Sequence, residues 1–533
     1  MVTTAKAPEC GTCHRLSFPA TCSIATAMLL VYSHTGAAEW KATPSLNLKE
    51  TYTDNVRLAP PGHEKSEFIT QINPGISLTG TGPHLKLNAS YGMQNLVYAE
   101  ESSQNTMNHM LNANANAELV DNLFFLDGRA AISQQNISLL GPQAADSANI
   151  TGNRTEVQTY SVSPYLRHKF SNYASTEIRY THDEVSTGGS ELLNSQADRI
   201  QLGLNSGSAF KTLGWGLNYS KGKTSYANTA NLFPPALDTE VLSGNLSYLV
   251  TSKFRLTATG GYEKNNYISI GPKPDGSFWS AGFSWAPSAM TSIDGSAGRR
   301  FFGDTYSLAA SHRTRLTAWS LGYSEDITST RSQFLIPIDP TRVMDLYLAA
   351  LYPNWAAADP VLRQKLTEDY INTFGLPPEL AALAGPVNYL TNRLFLQKRL
   401  QASVAVTGAK NTLVLSLFHV TRDAQTSQAQ DSLLFGSSTL ALTDNTKQVG
   451  GNAFWSWRMG PRTSANINAG FTRNSFPSLG RTDKDKTIRL SLTRQFQPKL
   501  DGSLELRRLQ RDSSQDGGDY SENALTASLF MRF

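Results

Sequence analysis

The chain has 533 residues, with 47 Lys and Arg against 43 Asp and Glu, a formal charge of +4 at pH 7 and a mean hydropathy of −0.31. So small a charge excess excludes a nucleic-acid partner on bulk charge. Beyond the N-terminus no run of about 20 apolar residues occurs, which excludes a bundle of membrane helices.

The first element in chain order is a secretory signal over residues 1–38. Lys6, His14 and Arg15 give a weakly basic start, Ala20 to Tyr32 is apolar, and Ala37-Ala38 supplies small residues for cleavage. An uncleaved anchor is the alternative. Cleavage after Ala38 leaves 45 basic and 42 acidic residues, a charge of +3. Cys10, Cys13 and Cys22 all lie in the signal, so the exported chain has no disulfide, cysteine–zinc site or thiol nucleophile. Cys10-Gly11-Thr12-Cys13-His14 matches the c-type haem attachment pattern. That motif needs to survive in the exported part, and here it is discarded, so no cofactor is expected.

From residue 39 onward the hydrophobic period is two. Leu85, Leu87, Ala89 and Tyr91 alternate with Lys86, Asn88 and Ser90. Ile178 and Tyr180 alternate with Glu177 and Arg179, and Leu246, Tyr248 and Val250 with Asn245 and Ser247. The same holds for Phe254, Leu256 and Ala258 against Arg255, for Ile488, Leu490 and Leu492 against Arg489, and for Leu504 and Leu506 against Glu505 and Arg507. Successive strand residues point to opposite faces, so each such run has one apolar and one polar face. A soluble sandwich shows the same alternation. Two further features favour a membrane barrel. Short connections (250–253, 286–288, 459–462, 497–499) alternate with long polar ones (140–154, 227–238, 421–446). Aromatics also gather at strand ends, as in Phe278, Trp279, Phe283 and Trp285, then Phe301-Phe302, then Phe454, Trp455 and Trp457. The expected fold is all-β: a transmembrane antiparallel up-and-down β-barrel over 39–533 with about 22 strands, or 20 if the hairpin of 44–55 and 67–79 pairs loosely.

One segment, 336–392, breaks the period. Asp339-Pro340 and Asp359-Pro360 are helix starts, and Val343, Leu346, Tyr347, Ala350 and Leu351 follow a helical stripe. This predicts a helical insertion in an extracellular loop, either folded into the lumen or elaborating the surface. At the end of the chain, Leu525, Ala527, Leu529, Met531 and Phe533 share one face of a last strand, with Phe530 out of step.

The chain carries no G-x-S-x-G elbow, no H-E-x-x-H and no P-loop. Ser284, in Gly-Phe-Ser-Trp-Ala, sits on a predicted strand. The seven histidines after residue 38 include no i, i+4 pair. Glu100-Glu101 and Asp183-Glu184 read as solvated loop tips rather than acid/base pairs. No catalytic or metal-binding residue is therefore assigned. The candidate lumen-lining residues are Lys86, Glu177, Arg179, Arg255, Arg489, Glu505 and Arg507, on faces that would hold water or a polar solute.

Several stretches carry a resemblance. Trp40-Lys-Ala-Thr-Pro-Ser-Leu46, Glu50-Thr-Tyr-Thr-Asp-Asn-Val56, Ile72-Asn-Pro-Gly-Ile76 and the ending from Tyr520 to Phe533 resemble outer-membrane proteins of PEP-CTERM/exosortase systems, which accompany exopolysaccharide biosynthesis. A terminal Phe533 closing an alternating strand resembles the signal read by the barrel-assembly machinery. The resemblance implies a non-enzymatic outer-membrane component of exopolysaccharide export or surface assembly. Its implied partners are outer-membrane lipid, that machinery, polysaccharide and periplasmic export components. A general or substrate-specific porin, and an enzyme acting on lipid or glycan, remain as alternatives.

Overall fold

A computed structural model describes residues 39–188, 194–226, 236–335, 389–426 and 444–533. The signal segment and residues 336–388 of the expected helical insertion lie outside the described residues. The described chain forms a single antiparallel sheet of 22 strands. The strands are β1 Glu39–Thr53, β2 Glu67–Thr81, β3 Leu85–Tyr98, β4 Thr106–Val120, β5 Phe124–Asn136, β6 Arg154–Phe170, β7 Ala174–Thr187, β8 Ser195–Ser206, β9 Leu213–Tyr226, β10 Ala236–Thr251 and β11 Phe254–Asn265. They continue as β12 Asp275–Ser288, β13 Thr291–Arg300, β14 Gly303–Arg313, β15 Thr317–Ser329, β16 Leu394–Thr407, β17 Asn411–Ala424, β18 Asn445–Gly460, β19 Thr463–Phe476, β20 Arg481–Gln497, β21 Leu500–Ser513 and β22 Tyr520–Arg532. A six-residue helix, α1 (Thr330–Leu335), follows β15.

Each strand pairs with the next in sequence, and β22 returns to β1, from Ser45 opposite Arg532 to Thr53 opposite Ala524. Closure leaves no sheet edge, as hydrocarbon demands, because every spanning N–H and C=O must find a partner within the protein. The first hairpin pairs in full, from Glu39 opposite Thr81 to Thr53 opposite Glu67, so the count is 22 rather than 20.

The period-two pattern fixes which face meets lipid. Leu246, Trp279 and Leu417 stand outward and are 54%, 57% and 65% exposed. Trp285, Trp319, Trp455, Trp457 and Phe496 are exposed near the turns of their strands, as an interfacial girdle requires. An outward apolar face on a closed barrel of this size makes the chain a bacterial outer-membrane protein. Phe533 lies on that outward face with Leu525, Leu529 and Met531, and its N–H bonds the Pro44 carbonyl at 3.0 Å. Phe530 breaks the alternation because it faces inward, under the Arg532 guanidinium.

Both termini and ten turns lie at one end, which is periplasmic by its short connections. The turn expected at 286–288 falls instead at Ala289-Met290. Pro287 is tolerated because the register shifts between Trp285 and Ser288. At the other end the connections are not uniformly long. Phe301-Phe302 alone joins β13 to β14, with Gly303 at φ 123° completing a bend that only glycine adopts easily. Two sequence expectations fail here. Asp183-Glu184 is no loop tip: both residues lie in β7, and Asp183 is buried and bound to Arg331 of α1. Glu101 is not simply solvated either, for Arg57 and Lys65 grip its carboxylate at 2.7 and 2.9 Å. Hydrogen bonds from Arg57 and then Lys65 pull its pKa down to about 2.

Candidate functional site in the barrel lumen

The sequence expects a long polar external connection at 140–154, and the structure has the β5–β6 connection at residues 137–153. It folds into the mouth of the barrel instead. Its sequence explains why: Ile137, Leu139-Leu140, Ala144-Ala145, Ala148 and Ile150 give it an apolar content that water would not hold. Leu139 packs among Tyr389, Phe395, Ala424 and Phe476. Ala144 and Ala145 lie against Leu58, Leu509 and Tyr520, and Ala148 against Val56, Ile69, Leu96 and Tyr98. The loop therefore bridges from β2 and β3 to β16, β17, β19, β21 and β22.

The loop also holds its own shape. Asn153 Oδ1 accepts from the Ser138 N–H at 2.9 Å, while its Nδ2 donates to the carbonyls of Ser138 and Pro142 at 2.8 and 3.0 Å. Gln143 Nε2 donates to the Ser138 and Gly141 carbonyls at 2.8 and 2.9 Å. With its backbone so satisfied, the loop can enter the lumen at little cost in unpaired groups.

Four arginines on the inward faces of β20 and β21 hold it. Arg481 donates to the Leu140 carbonyl at 2.8 Å, Arg511 to Gly141 at 2.7 Å and Arg489 to Ala145 at 2.5 Å. Arg507 donates to the Asp146 carboxylate at 3.2 Å. A guanidinium suits this task because its five N–H groups point in two directions from one plane. Arg511 keeps its other edge on Asp485 at 2.6 and 2.8 Å, Arg481 keeps Asp483 at 2.9 Å, and Arg507 keeps Glu522 at 3.0 and 3.2 Å. From β22, Glu522 also accepts from Asn149 at 2.6 Å, and the Tyr520 hydroxyl accepts from the Gln143 N–H at 2.9 Å. Burial alone would raise the Asp146 carboxyl, but Arg507, Lys49 and Arg489 outweigh it and hold the group below the usual aspartate range. Residues 389–392, the described end of the expected insertion, touch the same loop, with the Leu390 N–H on the Ile137 carbonyl at 3.1 Å.

The structure places all seven candidate lumen residues on inward faces but not in one site. Arg489 and Arg507 stand directly opposite each other across β20 and β21 and meet the loop, and Glu505 lies one inward step from Arg507 toward the periplasmic end. Glu177 and Arg179 belong to a separate periplasmic-side cluster. Arg179 bonds Glu177 at 3.0 Å and Asp127 at 2.8 Å, and its guanidinium lies 3.8 Å from the Tyr165 ring centre. Lys86 and Arg255 are exposed near the turns. Arg481, Arg511, Glu522 and Tyr520 were missed. Arg481 and Arg511 share the parity of Arg489 and Arg507, which would have found them.

Away from the loop the inner wall is rich in amides. Lys86, Asn88 and Ser90 of β3 face Asn116, Asn114 and Asn112 of β4 on the inward side. Asn116 Nδ2 donates to Asp127 at 2.8 Å. On β8 to β10, Asn205, Asn218 and Asn245 share the inward face around Gly216, where a Cβ would come within 2.4 Å of the Asn245 oxygen and 2.7 Å of the Asn205 oxygen. Among the described residues no group of three His, Cys, Asp or Glu side chains is placed to hold a metal.

No protein-family model matches the chain, and no curated protein does. Among solved structures it is similar to the siderophore receptor PirA from Pseudomonas aeruginosa, at 10% identity and a TM-score of 0.45, covering 92% of this chain and 80% of that one. It is similar to BauA, the ferric preacinetobactin receptor from Acinetobacter baumannii, at 10% and 0.44 over 92% and 81%. A loop-deletion mutant of OmpT, an outer membrane protein of Vibrio cholerae, matches at 7% and 0.31 over 93% and 100%. At such identities and scores these likenesses say nothing about what this chain does.

Proposed function

We propose that the protein is a non-catalytic outer-membrane conduit that takes part in exopolysaccharide export or surface assembly, and that it rests closed. One observation carries the reading: an inner wall rich in amides and hydroxyls lies beneath a loop held by side chains rather than by strand pairing. Each amide offers both donors and acceptors, the complement of a hydroxyl-rich chain. The loop can leave without breaking any rung of the barrel, since its ties to the described wall are arginine and amide contacts, the Tyr98 and Tyr520 hydroxyl bonds to Ala148 and Gln143, apolar packing and the Ile150 N–H to Val56 carbonyl bond at 2.8 Å. The resemblance of the opening and closing strands to exosortase-system barrels points the same way. Deleting the gene in its native host should sharply lower secreted polysaccharide, measured as total carbohydrate in the medium. Unchanged secretion would overturn the proposal.

A porin is the second reading, favoured by the exposed, water-accessible positions of Lys86, Asn112, Asn114 and Asn116. It requires steady conductance from the purified wild-type protein in planar bilayers. The closed conduit requires near silence.

A further inference from the structure

We propose that the Asp146 carboxylate occupies an anion site of the lumen wall, and that a carboxylate-bearing sugar, such as a uronate residue of a glycan, takes its place and releases loop 137–153. The inference rests on the conduit reading and adds to it a substrate class and an opening step.

The register supplies the site. Arg489 and Arg507 are direct cross-strand partners, and like charges in that position repel unless an anion lies between them. Here the loop provides it. Asp146 Oδ2 meets Arg507 at 3.2 Å, and the adjoining Ala145 carbonyl meets Arg489 at 2.5 Å. Lys49, inward on β1, adds a third positive charge toward the same carboxylate. The loop shapes Asp146 for this role: Oδ1 accepts from the Ala148 N–H at 3.1 Å, which leaves Oδ2 for the wall. A carboxylate oxygen beside a second, neutral oxygen is also what a uronate offers, with its acid group next to a ring or hydroxyl oxygen.

Most of this wall is already neutralised. Glu522 pairs with Arg507, Asp485 and Asp483 pair with Arg511 and Arg481, and Glu505 faces inward beside them. The local positive excess is left to Arg489, Lys49 and Arg154, whose guanidinium donates to the Asp146 carbonyl. Exchange physics gives the selectivity. Glu522 stays on Arg507 when Asp146 leaves, so the cost of the exchange falls on the facing Arg489–Arg507 pair, which loses the anion beside it. An acidic ligand that arrives as Asp146 leaves restores that charge. A neutral sugar of the same size does not.

The test uses the purified full-length barrel in planar bilayers. Hexagalacturonate is added in one arm and neutral maltohexaose in the other. The acidic oligomer should raise the frequency of open events over the neutral one by roughly 5- to 150-fold, the usual span of coupling between two ligands at one equilibrium. Asp146→Asn should open spontaneously and lose the difference between oligomers. Arg489→Gln should stay folded and lose most of it. Equal responses to the two oligomers, or an Asp146→Asn barrel that stays shut and still distinguishes them, would sink the proposal. A second measurement guards against a mute channel. In an Ala145→Cys barrel free of Cys10, Cys13 and Cys22, the acidic oligomer should speed labelling by a water-soluble thiol reagent, and equal labelling rates in both arms would count against the exchange. Normal polysaccharide secretion on gene deletion, together with acid-selective opening, would leave this site standing and remove only the export role.

Discussion

Two stretches of the same inner wall behave differently. Along the periplasmic half of β3 and the facing part of β4 the inward side chains are Lys86, Asn88, Ser90, Asn112, Asn114 and Asn116, exposed or half-buried. Along the outer half of β20, β21 and β22 arginines and acids gather, among which Arg507, Arg511 and Glu522 are 3%, 1% and 0% exposed. Both walls are polar by sequence, and both alternate with an equally apolar outer face. The difference is a partner. Loop 137–153 covers the second wall and gives its guanidiniums something to bind, whereas the lower part of β3 and β4 is left to water. A polar inward face is thus compatible with either an open or an occupied lumen, and charge pairing decides which.

The strongest way to erase the difference is to remove the partner. Replacing residues 138–152 with a short Gly-Ser linker should leave the barrel folded, as judged by heat-modifiable electrophoretic mobility, because no strand pair is lost. It should turn a near-silent protein into one with steady conductance. Unchanged conductance would show that the loop does not close the lumen. Next in size is Glu522→Ala. Glu522 accepts from Arg507, Asn149 and Thr53, and removing it leaves a buried guanidinium short of a partner, at a cost of about 3–5 kcal/mol. The urea midpoint of unfolding should fall accordingly, with Glu522→Gln falling less.

The sequence made the barrel legible because strand alternation is a local signal that needs no partner. Ile488, Leu490 and Leu492 against Arg489 already state which side meets lipid. The strand number followed from turn spacing, and Phe533 from its parity. Loop 137–153 was not legible as a plug because its destination is set by contacts more than 300 residues away in sequence, as in Arg489 with Ala145 or Tyr520 with Gln143. Only its apolar content hinted that it would not stay in water. Asp183 was misassigned for a related reason. A charged pair in an otherwise alternating run looks like a tip, and the buried Arg331 that compensates it lies 148 residues further along the chain.

A smaller effect should follow from pH. Asp146 has a folded-state pKa below its ordinary value, so its contribution to closure is fully present above about pH 3.9 and is lost as pH falls through the depressed value. Conductance should therefore stay low and flat between pH 7 and 5 and rise only in strongly acidic buffer. A rise centred between pH 5 and 7 would mean that a group other than Asp146 controls the loop.

The smallest expected effect lies on the open wall. Asn114 is exposed to the lumen, and its side chain donates only at 3.3 Å to Asn112. A surface group of this kind can be truncated for within about 0.5 kcal/mol, so Asn114→Ala should leave the unfolding midpoint where it was. Its consequence should show in passage instead. In the barrel lacking residues 138–152, where both walls are bare, Asn114→Ala removes one amide from the path of a hydroxyl-rich oligomer. The dwell time of maltohexaose blockades should shorten by the few-fold that one hydrogen bond of about 1 kcal/mol supplies. An unchanged dwell time would mean that the asparagine wall only hydrates the lumen, and that recognition rests with the arginine wall alone.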